Sequence, residues 1–134
     1  MTIIETQNRP KTRSHSSPEG RIQAECFAWF WNEFPQFRKT MFHVPNENDR
    51  ADANAIQGAI RKSLGVVAGV ADLLFLVARG GFHGLCIEMK DEHGTQKPAQ
   101  KEWQAIIERQ KYKYVICRSL DQFKEEVLCY LSEK

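Results

Sequence analysis

The sequence predicts an α/β domain in which helices flank a mixed central β-sheet. Three observations carry that reading. Apolar stripes at helical spacing alternate along the chain with short apolar runs of strand length. Two of those runs are joined by a glycine-containing turn and read as a β-hairpin. With 134 residues, 42% of them hydrophobic, the chain has apolar surface for one packed core and no length for a second.

Taken in order, residues 1 to 17 are rich in Ser, Thr, Arg, Asn and Pro, hold too little apolar surface to fold, and read as a flexible arm. The folded domain is expected to span 18–134. Ile22, Cys26, Trp29 and Phe30 recur at three and four residues, a helical stripe that runs from Glu19 to Glu33 and ends before Pro35. Thr40 to Val44, closed by Pro45, suits a short strand. A polar loop follows, then a helix from about Asp52 to Ser63. DLLFLV (72–77) and LCIEM (85–89) are the arms of the hairpin, with Gly80 and Gly81 supplying the turn. After the polar loop DEHGTQK, Pro98 opens a helix to about Gln110 that buries Trp103, Ile106 and Ile107. Tyr112 to Arg118 is a strand. Ser119 and Gln122 form a capping box for the last helix, whose stripe is Phe123, Val127, Leu128 and Leu131.

Composition excludes several function classes. No stretch approaches the roughly 18 apolar residues that span a bilayer, and the first residues lack the apolar run of a secretory signal, so a cytoplasmic protein without a membrane role is expected. Cys26, Cys86, Cys117 and Cys129 are scattered, form no CxxC pair and sit in apolar runs, which reads as reduced core thiols. The four histidines are equally dispersed, and nothing calls for an organic cofactor. Lys plus Arg number 19 against 17 Asp plus Glu, a net charge of +2 that announces no nucleic-acid partner by itself. Any such site has to be a local patch.

The informative irregularity is in LCIEMK. A buried strand is expected to be continuously apolar, yet this one ends with Glu88 and Lys90, which project to the same face. Asp72 opens the partner arm, 16 positions before Glu88, so a register that pairs the strand ends gathers three charges. Two carboxylates there make a hard-oxygen site suited to Mg2+, which takes one or two protein carboxylates and keeps several waters. Such a metal serves phosphodiester hydrolysis by neutralising charge on the phosphate and lowering the pKa of an attacking water. A lysine beside it orients or deprotonates that water, or holds the phosphate as a point charge. A buried salt bridge of Lys90 with Asp72 or Glu88, or a solvated strand end, produces the same short pattern.

The wider arrangement, GVVAGVADLLFLVARGGFHGLCIEMKDEHGTQKPAQKEW, resembles the PD-(D/E)xK nuclease superfamily and within it the VRR-NUC group. The resemblance covers roughly residues 18 to 132. It implies a restriction-endonuclease-like fold, with Asp72 as the metal-binding Asp, Glu88 and Lys90 as the E-x-K pair, and Gln100 as the glutamine opening the next helix. PEGRIQAECFAWFWNEFP resembles the family's first helix, in which Glu19 becomes the further acidic candidate, with Ile22 and Gln23 behind it. The implied catalytic set is Asp72, Glu88, Lys90, Gln100 and Glu19. Mg2+ or Mn2+ would be held by Asp72, Glu88, Glu19 and the Met89 carbonyl. Two positions depart from the pattern: Ala71 stands where the family has Pro, and Lys111 where it usually has Gly.

The resemblance also implies the activity: a metal-dependent endonuclease acting on branched DNA such as four-way junctions, as a homodimer of the phage or mobile-element type. A non-catalytic nucleic-acid-binding module retaining the nuclease fold is the alternative. Asn46 and Arg50, in a polar loop, either contact phosphate or cap neighbouring elements. Gln23 either supports Glu19 from the next helical turn or faces solvent, and His43 is read as structural. Phe27 and Trp31 belong either to the core or to a subunit interface. Lys97, Lys101, Arg109, Lys111 and Lys113 are a solvated face or, in a nuclease, backbone contacts that position DNA without reading bases. Lys97 and Lys101 are the ones assigned to DNA here.

Overall fold

A computed structural model of the chain describes residues 17–45 and 55–134. Asn46, Arg50, the start of the helix expected from Asp52 and nearly all of the arm expected at residues 1 to 17 lie outside them. Ser17, placed by the sequence in that arm, already belongs to the fold: its hydroxyl accepts from the Gly20 N–H at 3.0 Å and caps helix α1 (Pro18–Glu33), with Pro18 in the first turn. A 3-10 turn over Pro35–Phe37 leads to strand β1 (Met41–His43). Helix α2 (Ala55–Ser63), strands β2 (Leu73–Phe75) and β3 (Leu85–Met89), helix α3 (Pro98–Arg109), strand β4 (Lys113–Cys117) and helix α4 (Leu120–Ser132) follow. The expected elements are present in the expected order, with β3 as expected and the other three strands shorter by two or three residues.

The four strands form one sheet in sequence order. β1 pairs with β2 and β2 with β3 antiparallel, whereas β3 and β4 run parallel, the crossover being α3. Gly80 and Gly81 adopt φ of 58° and 83°, the two left-handed residues of a type I′ turn, and Arg79 and Phe82 exchange backbone hydrogen bonds at 2.8 and 3.2 Å across it. Between that turn and the ladder residues 76–78 oppose only 83–84, an extra residue on the first arm, and the ladder's register Leu73↔Ile87 places Asp72, one residue before β2, level with Glu88.

α1 and α4 cover one face of the sheet. Cys26 and Phe30 of α1 and Phe123, Val127 and Tyr130 of α4 enclose Met41, Leu73, Phe75, Leu85, Ile87 and Met89. Phe75 is the hub: its ring lies 5.2 Å from Phe30 and 6.0 Å from Tyr130. Fully burying one such side chain contributes about 1.5–3 kcal/mol. On the other face, Trp103 and Ile107 of α3 cover Ala71, Cys86 and Tyr114. β3 is therefore buried on both faces along its whole length.

Three packing expectations are corrected. The buried stripe of α4 is Phe123, Val127 and Tyr130 (i, i+4, i+7), which turns Leu128 outward and leaves Cys129 exposed. Cys26, Cys86 and Cys117 are core thiols, pushed up to about 12 by burial. Ile106 also faces solvent, because the buried side of α3 is set by Trp103 and Ile107.

Lys111 is held in a left-handed conformation, φ 65°. The Lys111 N–H donates to the Glu108 carbonyl at 3.0 Å and Tyr112 N–H to the Ile107 carbonyl at 3.3 Å, the two bonds of a Schellman cap ending α3. Glycine takes this position without steric cost. Lys111→Gly is expected to stabilise the fold by about 1 kcal/mol, a rise of a few degrees in Tm, while Lys111→Ala brings no gain. Thermal unfolding of the three proteins checks this.

Candidate active site

The site lies where the chain enters β2 and leaves β3. Its framework is backbone: the Asp72 carbonyl accepts from the Val44 N–H at 2.9 Å, and the Lys90 N–H donates to the Cys117 carbonyl at 3.0 Å, so the pairing continues past the strand ends. Asp72 Oδ2 accepts from the Met89 N–H at 2.7 Å, which turns its carboxylate toward β3. Gly69 brings the loop before β2 against the first turn of α3. Its φ is 88°, and a Cβ there would lie 2.3 Å from the Ala99 carbonyl oxygen. The approach of this loop to Ala99 and Gln100 therefore requires glycine.

Glu88 is 2% exposed and Lys90 4%. Glu88 Oε1 accepts from Gln100 Nε2 at 3.1 Å, and Oε2 accepts from the Tyr114 hydroxyl at 3.3 Å. Gln100 is oriented in turn, its Oε1 accepting from the Lys97 N–H at 2.8 Å at the start of α3. Burial raises the Glu88 carboxyl from its ordinary 4.5 to about 9, helped by its hydrogen bond to Asp72 and the Asp72 charge; Lys90 and Tyr114 oppose the shift. At neutral pH the buried Glu88 carboxyl therefore favours its protonated form.

Glu19 reaches the same place from α1. A methyl group placed on Gly94 would lie 3.1 Å from Glu19 Oε1, 3.2 Å from Asp91 Oδ1 and 3.3 Å from Lys90 Cδ, so these side chains converge on the loop after β3. Glu19, Asp72 and Met89 line a cleft of about 500 Å3 together with Gln23 and His43. Among the described residues no three His, Cys, Asp or Glu side chains are gathered closely enough to hold an ion between them. Asp72 and Glu88 come together as a pair, and Glu19 stands in the same cleft outside it. A pair suits a hard cation that takes one or two carboxylates and fills its other positions with water.

Lys97 and Lys101 are exposed at the start of α3, where the Lys97 N–H meets Gln100 Oε1. His43 has a definite contact: its Nδ1 lies 2.9 Å from the Asp72 carbonyl oxygen and 3.0 Å from Gln23 Nε2, so both residues brace the chain at Asp72.

Three contributors went unnoticed in the sequence. Tyr114 holds Glu88 and itself accepts from Gln96 Nε2 at 3.2 Å. Arg118 Nη1 donates to the Asp91 and Gly94 carbonyls at 2.8 and 2.6 Å, pinning the loop on which Glu19 and Lys90 meet. Asp91 Oδ1 closes that loop from within, accepting from the His93 and Gly94 N–H groups at 2.9 and 2.6 Å. D-x-x-G after a strand was the available signal for the turn.

The architecture has a counterpart among solved structures. A protein described as a VRR_NUC domain protein superposes with a TM-score of 0.70 at 26% identity, over 90% of this chain and 93% of that one. The fold is that of a VRR-NUC domain. No family model matches the chain, and no curated protein does. The VRR-NUC fold accounts for the mixed sheet with flanking helices and makes this a nuclease-fold protein. No helix of the described residues is long and apolar enough to cross a membrane.

Proposed function

We propose that this chain is a Mg2+- or Mn2+-dependent endonuclease that hydrolyses DNA phosphodiester bonds, selects branched structures such as four-way junctions, and works in the cytoplasm as a homodimer. The observation that carries the reading is the Asp72–Glu88 pair, with Glu88 oriented by Gln100, beside a buried Lys90 on a nuclease fold. Asp72, Glu88 and the Met89 carbonyl would hold the ion, with Glu19 across the cleft. When bound, the ion neutralises charge on the phosphate and acidifies a water.

The chain's own groups do the rest. Gln100 and Tyr114 keep the Glu88 oxygens from rotating away. Burial of the Lys90 stem restricts its ammonium to the site, where it orients the water or holds a phosphate oxygen. Lys97 and Lys101, exposed at the start of α3, offer backbone contacts that fix position without reading sequence. Pairing is supported by α2, which has no buried residue and whose Ile56 and Ile60, with Leu64 just beyond, repeat every fourth position while 70%, 48% and 78% exposed.

Incubation with linear, flap, nicked and four-way DNA in Mg2+, Mn2+ or EDTA tests the reading. Cleavage of branched forms with either metal and none in EDTA is expected. Salt-sensitive binding without turnover under every condition would leave the non-catalytic module in its place.

A further inference from the structure

The cleft beside Asp72 extends beyond what hydrolysis requires. One wall is α1, where Gly20, Gln23, Ala24 and Phe27 repeat at three and four residues and share a stripe. Gly20 and Ala24 carry a methyl group at most, so the wall is flat between Gln23 and the Phe27 ring. Phe42 and His43, at the end of β1, line the cleft from the other strand of chain, and Phe42 is 38% exposed. Its volume of about 500 Å3 falls within the roughly 300–1,000 Å3 of small-molecule sites.

The charge pattern narrows the occupant. None of the described residues lining this cleft is a lysine or arginine, while Glu19 and Asp72 close one end. A run of phosphates along the α1 wall requires cations on its path, and none of the described lining residues there supplies one. A flat apolar wall with phenyl rings at its margin instead suits a planar, uncharged group. The imidazole contact to the Asp72 carbonyl ties the β1 wall to the acidic end, so the spacing between the two is fixed.

We propose that this cleft, between the Gly20–Ala24–Phe27 stripe and Phe42, is a subsite for the unpaired nucleobase next to the phosphate addressed by Asp72 and Glu88. The proposal rests on the nuclease reading and specifies its substrate class: DNA in which the nucleotide at the cut is unpaired or readily unstacked. A base inside a duplex is already stacked on its neighbours, and entering the cleft costs that stacking; an unpaired one pays least. Because every base has a π-face, such a subsite selects structure and tolerates any sequence.

The test uses the full chain in Ca2+, titrated with a fluorescent duplex carrying one unpaired adenine and with the same duplex abasic at that nucleotide. The base-containing duplex is expected to bind about tenfold tighter. Ala24→Leu, which fills the floor, should bind both duplexes with the weaker affinity. Phe42→Ala should narrow the difference and Phe42→Tyr retain it; as position 42 is exposed, this pair carries the comparison if Ala24→Leu fails to fold. Equal wild-type affinity for the two duplexes overturns the subsite. Failure of the nuclease reading appears separately, as absence of cleavage in Mg2+ and Mn2+, and the binding comparison remains readable.

Discussion

Lys90→Met is expected to reduce metal-dependent DNA cleavage by at least about 10³-fold while the protein remains folded and still binds Mn2+. Methionine keeps an unbranched apolar stem in a position only 4% exposed, so the packing around it survives and Tm should stay within a few degrees of wild type. What is lost is the ammonium, and with it the means to orient or deprotonate the water or to hold a phosphate oxygen. Removing one general acid–base group costs about 10²–10⁴ in rate, and an electrostatic donor adds to that. Wild-type cleavage rates in the variant would show that Lys90 is a structural cation and nothing more.

Glu88→Gln is expected to raise the stability of the metal-free protein while abolishing Mn2+ binding and cleavage. The sign follows from the carboxyl standing at about 9 in the folded protein against 4.5 ordinarily. Between those pH values the folded state retains a proton that the unfolded state has released, so stability falls as pH rises through that window. Glutamine neither ionises nor carries this penalty, and it preserves an acceptor for Gln100 or Tyr114. The gain is expected to be on the order of 2 kcal/mol near neutral pH, roughly 5 °C in Tm, and to shrink toward pH 4.5. Thermal scans at pH 5 and 8 in EDTA, with Mn2+ titration calorimetry, check both halves. A variant less stable than wild type at pH 8 would show that Glu88 is a stabilising anion in the folded state.

Much of this site was legible because it depends on short-range order. The double-glycine turn marks the two apolar runs as arms of one hairpin, and pairing their far ends set Asp72 level with Glu88. Counting outward from the turn falls one residue short, because residues 76–78 oppose only 83–84. Gln100, the third residue of a helix opened by Pro98, was named through the resemblance, and its amide donates to Glu88. Tyr114 and Arg118 were not legible, since they reach the site through the parallel register of β4 against β3, set by tertiary packing over an intervening helix. The outward turn of Cys129 had a similar origin: several rotations of α4 bury an apolar stripe, and the ring of Tyr130, donating to the Val77 carbonyl at 2.6 Å, selects one. Lys111 was noticed as a departure from glycine, but only the left-handed backbone gives that departure a cost.

The hairpin turn has a practical corollary. The Gly80 N–H donates to the Lys134 carbonyl at 2.9 Å, which tethers that end of the chain to the turn, whereas Asp72 and Glu88 lie at the opposite ends of the same two arms. The seven steps from Asp72 to Arg79, at about 3.3 Å each when extended, separate the two places by up to some 20 Å. Ser17, by contrast, stands on the rim of the cleft. A fluorophore, surface linker or fusion partner attached through Lys134 therefore leaves the molecule from the end remote from the chemistry, and one attached ahead of Ser17 leaves from its doorway.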